Sequence, residues 1–489
     1  MLHAAADTDV LIVGAGPVGL FLANECARRG LRYRIVETRP SQSIRSKALA
    51  IFPRTLEILD MAGLVGPFLE HANRVTSVAV MTRGRTLARM RFAPEQSPYP
   101  FVAMVPQNVT ERLLVEQLHR AGGEVEYETT FVSAAQQNDG VSVVLDREGE
   151  TIMLRASFVV GCDGAHSPVR HLLDLSFGGG AYEATFMLAD IETGAEMPAD
   201  ELLLCPDESG PLAIFPMSAT RLRVVAVMSR AEGDAPSLDL VRRILTERAP
   251  TGLEVSKLNW SSYFRIHHRQ TAQLRVGRIF LAGDAAHIHS PFGGQGMNTG
   301  LQDVWNLAWK LDLAVRGHAT ESLLDSYTAE RRPVIKAVIK TTDLLTKAMG
   351  TPSKAAQALR NTLIPAVSRW APFQHAFVRR LSGLGIDYHR SPIVAGAGRR
   401  FFDDSLRGGH GIGSRFLLVS SDRAEPAARN ATHRFAESLH EIVELRVGQR
   451  DDTVLVRPDG YVAYAGRHGR EAASLASVRS LLAQQTTAR

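Results

Sequence analysis

Cysteine is scarce. Cys26, Cys162 and Cys205 are the three in 489 residues, too few for a disulfide framework or a four-thiolate metal site. A reducing, cytoplasmic setting is the expectation. Long apolar runs are missing too: the longest uncharged apolar stretch, Val10 to Asn24, is interrupted by Gly14, Gly16, Pro17 and Gly19 and falls short of the roughly 20 apolar residues of a membrane helix. No membrane partner is expected. His3, Asp7 and Asp9 stand before that stretch, where a secretory signal would carry a basic segment, so the N-terminus is expected to be the mature one. Neither sign of charge dominates, since 56 Lys and Arg against 51 Asp and Glu leave +5. The basic residues read as spread along the chain, which gives no support to nucleic acid as a partner. With 45% hydrophobic and 22% charged residues, disorder and fibrous structure are excluded. Neither an internal repeat nor a low-complexity tract is evident, and at about 150 residues per domain the length suits two or three packed domains.

What the chain does have begins with Thr8-Asp9-Val10-Leu11-Ile12-Val13, an apolar, β-branched run entering Gly14-Ala15-Gly16-Pro17-Val18-Gly19. This reads as a buried parallel strand and a glycine turn. Helix formers follow from Leu20 to Arg29, Gly30 suits a C′ position, and Tyr33 to Glu37 reads as the next strand. In such a βαβ unit Gly14 permits the tight turn, Gly16 lets backbone approach a pyrophosphate, and Gly19 lets the helix pack on the strand. Glu37 ends the second strand, where an acid bonds a ribose 2′-hydroxyl. The fingerprint alone does not choose between FAD and NAD.

Between about residues 177 and 265, short alternating segments such as Ala213-Ile214-Phe215 suggest a mostly antiparallel sheet. Val276 to Asp284 reads as one further buried strand ending at a glycine loop, so the nucleotide domain is expected to be discontinuous. Gln302, Asp303, Asn306 and Lys310 form one polar stripe on an otherwise apolar helix, which is expected to be mostly buried. From about Gly396 a small α/β module is expected. It comprises a strand at Phe416–Val419, a helical stretch through Ala436 to Val443, a hairpin around Pro458-Asp459-Gly460, and a last helix. Gly408 to Gly413 looks like a phosphate loop but follows no buried strand, and is read as a connection.

Two further segments carry a resemblance. Phe158-Val159-Val160-Gly161-Cys162-Asp163-Gly164-Ala165-His166-Ser167-Pro168-Val169-Arg170 and Gly277-Arg278-Ile279-Phe280-Leu281-Ala282-Gly283-Asp284-Ala285-Ala286-His287 resemble the secondary motifs of the class A flavoprotein aromatic hydroxylases, the para-hydroxybenzoate hydroxylase family. Pro291-Phe292-Gly293-Gly294-Gln295-Gly296-Met297-Asn298-Thr299-Gly300 resembles its flavin-ring loop. With Glu37 and Gln107 these motifs span residues 8 to about 332 in the expected order.

The resemblance implies an α/β fold: a Rossmann-like FAD-binding domain (1–75, 100–176 and 271–395) with an inserted, mostly antiparallel substrate domain (76–99 and 177–270). The C-terminal module (396–489) resembles the thioredoxin-like appendage of the phenol- and polyketide-hydroxylase branches. It lacks cysteine, which excludes disulfide exchange and leaves a structural or homodimer-packing role.

The resemblance further implies noncovalent FAD held by Gly14, Gly16, Pro17, Gly19, Glu37, Asp163 and Asp284, with Asp284 on the ribityl chain. Gln107 and Arg45 would hold the pyrophosphate and ribityl region. Lys47 stands where much of the family has arginine, keeping the charge without the bidentate fork. Main-chain groups of Gly296, Met297 and Asn298 would meet the pyrimidine edge of the flavin, and Pro291 would face its carbon 4a. Asp163, His166 and Arg170 would meet NADH or NADPH. The implied reaction is NAD(P)H- and O2-consuming hydroxylation of a small phenolic or polyketide-like aromatic substrate through a flavin hydroperoxide. Epoxidation, Baeyer-Villiger oxidation and antibiotic inactivation are the enzymatic alternatives, and a flavoprotein that sequesters a pathway intermediate is the noncatalytic one. A flavin halogenase is disfavoured, since Trp260 is followed by Ser261-Ser262-Tyr263. No residue is identified as the catalytic base. His287 and His289 are not read as a metal pair, His267 and His268 are read as ordinary strand or loop residues, and Cys162 as a small buried side chain.

Overall fold

The computed structural model describes residues 6–487 apart from 44–45, 83, 93–96, 251–252, 291–292, 350–352, 397, 411–412, 449–451 and 467–469, and the backbone alone of Tyr182, Glu183, Ile266, Lys354 and Ala356. The candidates Arg45 and Pro291 and part of the Gly408–Gly413 loop therefore lie outside the described residues.

The apolar run Thr8–Val13 is a strand with all six residues buried. It pairs in parallel with Tyr33–Val36 on one side and Glu150–Gly161 on the other, and Glu150–Gly161 pairs in parallel with Ile279–Leu281. Burial on both faces explains why these strands are uniformly apolar. Helix Pro17–Arg29 starts with Pro17 in its first turn and ends on Gly30 at φ 70°, as the sequence predicts. An antiparallel arm, Thr129–Gln137 and Gly140–Arg147, extends the sheet from Glu150–Gly161.

The expected strand Val276–Asp284 is shorter than the sequence suggests. Gly277, at φ 57°, turns the chain between Arg275–Val276 and Ile279–Leu281, which pair antiparallel. Beyond the second strand, Gly283 at φ 59° opens a 3-10 turn, Gly283–Ala285, that carries Asp284. Two glycines in left-handed conformation end the pairing where the apolar pattern alone continues.

The second sheet has eight strands, built around Phe177–Thr193 and Val255–Thr271, each of 17 residues. The sequence suggests short segments here. Register shifts at Ala181/Thr185, Asp190/Ile191 and Glu192/Thr193 interrupt the alternation, so one long strand reads as several short ones. Helix Leu238–Arg248 covers one face through Leu240, Val241, Ile244 and Leu245, packed on Met187, Ala189, Val224 and Ala226.

The third unit is a four-stranded sheet in the order Val443–Gly448, Phe416–Ser421, Val454–Val456, Val462–Ala465, with helices Pro426–Ser438 and Glu471–Gln485. The helix expected through Val443 stops at Ser438, and Val443–Gly448 is a strand parallel to Phe416–Ser421. The alternation Val443-Glu444-Leu445-Arg446-Val447 carries that strand signal. The Pro458-Asp459-Gly460 hairpin docks on helix Gln295–Val315. Trp305 Nε1 donates to the Asp459 carbonyl at 2.9 Å, and Arg457 Nη2 donates to Glu330 Oε2 at 2.9 Å, an oxygen that also accepts from Lys310 Nζ at 2.9 Å. Gln302, Asp303, Asn306 and Lys310 are all buried, so the polar stripe faces partners inside the protein.

Candidate active site

The C-terminal ends of three parallel strands converge, where open α/β sheets hold their ligands. Cys162 N donates to Val13 O at 2.8 Å, and Ala282 N to Gly161 O at 3.0 Å, which sets the glycine turn, the Cys162–Ser167 loop and the Gly283 turn side by side. Gly14 has φ 101°, and a Cβ there would lie 2.6 Å from the Cys162 carbonyl oxygen. At Gly19 it would lie 2.0 Å from Gly14 O. Packing alone excludes a side chain at both. Gly16 is different, because a Cβ there meets nothing within 4 Å, so its backbone borders open space at the start of a helix.

Glu37 accepts hydrogen bonds from Ala15 N at 2.9 Å and from Arg39 N and Nε, both at 3.0 Å. Burial works against its charge, but the Arg39 side-chain and backbone bonds and the Ala15 N–H hold its carboxyl below the usual range. Gln107 begins helix Gln107–Arg120. Its Oε1 accepts from Ala48 N at 3.1 Å, and its Nε2 donates to Glu111 at 2.9 Å, fixing the segment that bears Lys47. The Lys47 and Ala48 carbonyls also accept from Arg223 Nη1 at 3.2 and 3.1 Å. Arg223 is 1% exposed and forks onto Asp190 at 2.7 and 2.8 Å. It thus ties the large sheet to the cofactor side, a role that an arginine within a strand does not signal in sequence.

Asp163 Oδ2 accepts from Val169 N at 3.1 Å, while Oδ1 is buried with no hydrogen-bond partner. Burial raises its carboxyl pKa. An orphaned acceptor beside the glycine turn suits a ligand that brings a donor. Asp284 is exposed on its turn, yet protein atoms crowd around it, and this desolvation raises its pKa against the opposing pull of His287 and Lys47.

Helix Gln295–Val315 starts after Gly294, at φ 63°, and its second turn packs on the same loops: a Cβ at Gly300 would lie 2.6 Å from Val18 Cγ2 and 3.1 Å from Gly283 Cα. Its first four N–H groups have no intrahelical acceptor. A Cβ at Gly296 would meet only His289 Nε2, at 4.0 Å. Met297 is partly buried beside it. The Asn298 side chain is occupied: Nδ2 donates to Ala50 O at 2.8 Å and Gly294 O at 2.9 Å, and Oδ1 accepts from Phe52 N at 2.9 Å. It locks the helix start to strand Ala50–Ile51 and leaves its main chain for a ligand.

Arg170 is 3% exposed, and its guanidinium donates to Ala285 O at 3.0 Å and Ala165 O at 2.9 Å. It therefore clamps the Cys162–Ser167 loop to the Asp284 turn, while His166 stays exposed. His267 and His268 lie in strand Val255–Thr271. His287 Nε2 bonds to Asp303 Oδ2 at 2.7 Å, and Gly283 N donates to the same oxygen at 3.2 Å. Arg331 Nε donates to Asp303 Oδ1 at 2.7 Å. Burial opposes the Asp303 charge, but His287 and Arg331 hold its carboxyl below the usual range. Asp303 thereby sets the Asp284 turn from behind, and the partners that reveal this are remote in sequence. Among the described residues no cluster of metal ligands exists.

The Gly16 and Gly296 backbones border open space, Asp163 offers an unpaired acceptor, and a helix N-terminus favours negative charge. This donor and acceptor set fits a dinucleotide with a ring that accepts charge. The FAD binding domain family matches residues 7–342. A rifampicin monooxygenase from Streptomyces venezuelae is 34% identical over 95% of this chain and 96% of its own. A 6-methylpretetramide 4-monooxygenase from Streptomyces rimosus is 37% identical over 80% and 72%. The solved structure of the anhydrotetracycline hydroxylase OxyS from Streptomyces rimosus superposes with a TM-score of 0.76 at 30% identity, covering 94% of this chain and 96% of that one. The chain belongs to the FAD binding domain family and is an FAD-dependent monooxygenase of aromatic compounds.

Proposed function

We propose that the chain hydroxylates a fused-ring, polyketide-like phenol, using noncovalent FAD with NADH or NADPH and O2, in the cytoplasm. The observation that carries this reading is the set of turns at one end of three parallel strands, where Gly16 borders open space, Asp163 keeps an unpaired acceptor and the second turn of the Gln295 helix packs on the Gly283 turn. Bound FAD supplies hydride acceptance and oxygen activation, and the protein supplies position and electrostatics. Gly14, Gly16, Pro17 and Gly19 bring backbone to the pyrophosphate. Glu37, held ionised by Arg39, accepts from the adenosine ribose. Asp163 Oδ1 and Asp284 accept hydrogen bonds from the cofactor, and Gln107 fixes the Lys47 segment beside it. The N–H groups of Gly296, Met297 and Asn298 stabilise negative charge at the pyrimidine edge. His166 is exposed and would meet the incoming nicotinamide nucleotide, while Arg170 clamps the loop that carries it.

The substrate class is supported by relatives named for 6-methylpretetramide and rifampicin. The test is turnover with NADH or NADPH under 18O2 over a panel of phenols, anthracycline-like polyketides and rifamycins. One labelled oxygen atom in a fused-ring phenol is expected. NAD(P)H consumption that only ever yields peroxide across the panel would remove the substrate assignment.

A further inference from the structure

The positive charge of this chain is local in its balance. From Arg332 to Arg380 the sequence carries nine Lys and Arg and one acidic residue, Asp343. Outside that segment 47 basic residues face 50 acidic ones, so the segment holds more than the whole net charge. Basic residues occur throughout the chain, but acidic ones avoid this stretch.

The segment forms the end of helix Glu321–Met349 and the helices Lys354–Ser368 and Ala371–Leu381. Arg380 Nη2 reaches Ala337 O at 3.5 Å, joining the first and last of these. Ile364 packs on Val80, Leu87 and Ala88 at the outer edge of the large sheet. The opposite side of Lys354–Ser368 is bare: Ala358, Leu359, Thr362, Leu363, Ala366 and Val367 are exposed, in pairs four residues apart that make one helical stripe. Leu359 is 59% exposed and Trp370, just beyond the helix, 63%. On the neighbouring helix Lys336, Lys340, Leu344 and Lys347 recur at helical spacing and are exposed. A water-facing apolar stripe of this size on a folded protein marks a contact surface.

Charge and shape select the occupant. A two-fold contact with a second copy would set these cations against themselves. The stripe is the convex outside of a helix instead of a groove, so it suits a broad surface that yields to it. Apolar side chains beside exposed Lys and Arg are the makeup of helices lying at the boundary of an anionic bilayer. We propose that the helices of residues 332–380 dock this protein peripherally on an anionic lipid surface, with Leu359, Leu363 and Trp370 entering the acyl boundary and Lys336 and Lys340 meeting the headgroups. The expectation of no membrane partner rested on the lack of a spanning helix, and among the described residues no helix is long and apolar enough to cross a membrane; peripheral docking needs no such helix. Docking would place the outer strand of the large sheet beside the phase in which apolar ring compounds dissolve.

The test is flotation of the FAD-loaded protein with vesicles of phosphatidylglycerol and phosphatidylcholine, and with phosphatidylcholine alone. Flotation is expected with the anionic vesicles alone, weakened by high salt, with a blue shift of Trp370 emission. Leu359→Ser with Leu363→Ser, and separately Lys336→Glu with Lys340→Glu, should each weaken partition by about tenfold or more, with FAD content unchanged. Failure to float with anionic vesicles, equal binding to neutral ones, or indifference to both variant pairs would overturn the proposal. A dimer in light scattering that the Leu pair converts to monomers, without vesicle binding, would assign the face to a second copy instead.

Discussion

The cofactor end of the parallel sheet and the helical cover of residues 332–380 are held by opposite means. At the first, buried charged side chains tie distant elements together: Asp303 alone joins His287, Gly283 and Arg331, and Arg170 and Arg223 each clamp backbone carbonyls across elements. At the second, Leu344, Leu359, Leu363 and Trp370 face solvent. The difference teaches that the chemistry is fixed by an over-determined scaffold, while the surface that meets the surroundings is set by composition.

The comparison breaks most severely at the buried network. Asp303→Ala leaves the Arg331 guanidinium without its carboxylate at full burial, and a loss of about 3–5 kcal/mol is expected in denaturant unfolding. The same substitution in a cover residue such as Lys340 should be nearly silent there. A loss below about 1 kcal/mol at Asp303 would mean that water or a neighbour replaces it.

Next comes Asp284→Ala. A charge-assisted bond to the cofactor is worth about ten- to a hundredfold in affinity, so FAD titration of the folded variant should weaken by that much. Unchanged affinity would remove Asp284 from the site.

A smaller effect is expected from pH. Burial brings the His289 pKa down to about 4, with its contact to the Ser290 carbonyl opposing and His287 adding to the shift. The folded protein therefore keeps this imidazole neutral while the unfolded chain protonates it below about 6.5. Its contribution to stability is complete above that value and falls by up to about 1.4 kcal/mol per unit as pH drops toward 4. His289→Gln should flatten this part of the stability curve, and a curve parallel to the wild type would show that other groups account for it.

The smallest effect should follow replacement of all three cysteines by alanine. Burial pushes the Cys205 thiol up to about 12, with Asp207 adding to it, and raises Cys26 and Cys162 as well. None is a thiolate at neutral pH. Turnover by a folded variant should be unchanged, and loss of flavin reduction in it would reveal a redox cysteine.

Much of the cofactor side is legible in sequence because its signals are local. The Gly14, Gly16 and Gly19 turn, the strand before it and Glu37 after it follow from period and spacing within 30 residues. The hairpin at Pro458-Asp459-Gly460 is legible for the same reason. What escapes is long-range: Asp303 acting through His287 and Arg331, Arg223 reaching Lys47, and Asp459 meeting Trp305. Bulges hide the two long strands, and Gly277 hides a turn inside an apolar run. The cover is legible in composition but not in placement, because its exposed stripe has the same periodicity as a buried one.

The central claim is that the preformed cradle of Gly16, Asp163 and the Gln295 helix N-terminus takes FAD without a covalent bond. Titration of the apoprotein with FAD, followed by acid precipitation, tests it directly. One FAD should bind per chain, and the yellow colour should pass wholly into the supernatant. Apoprotein that takes up no FAD, or colour that stays in the protein pellet, would contradict the account.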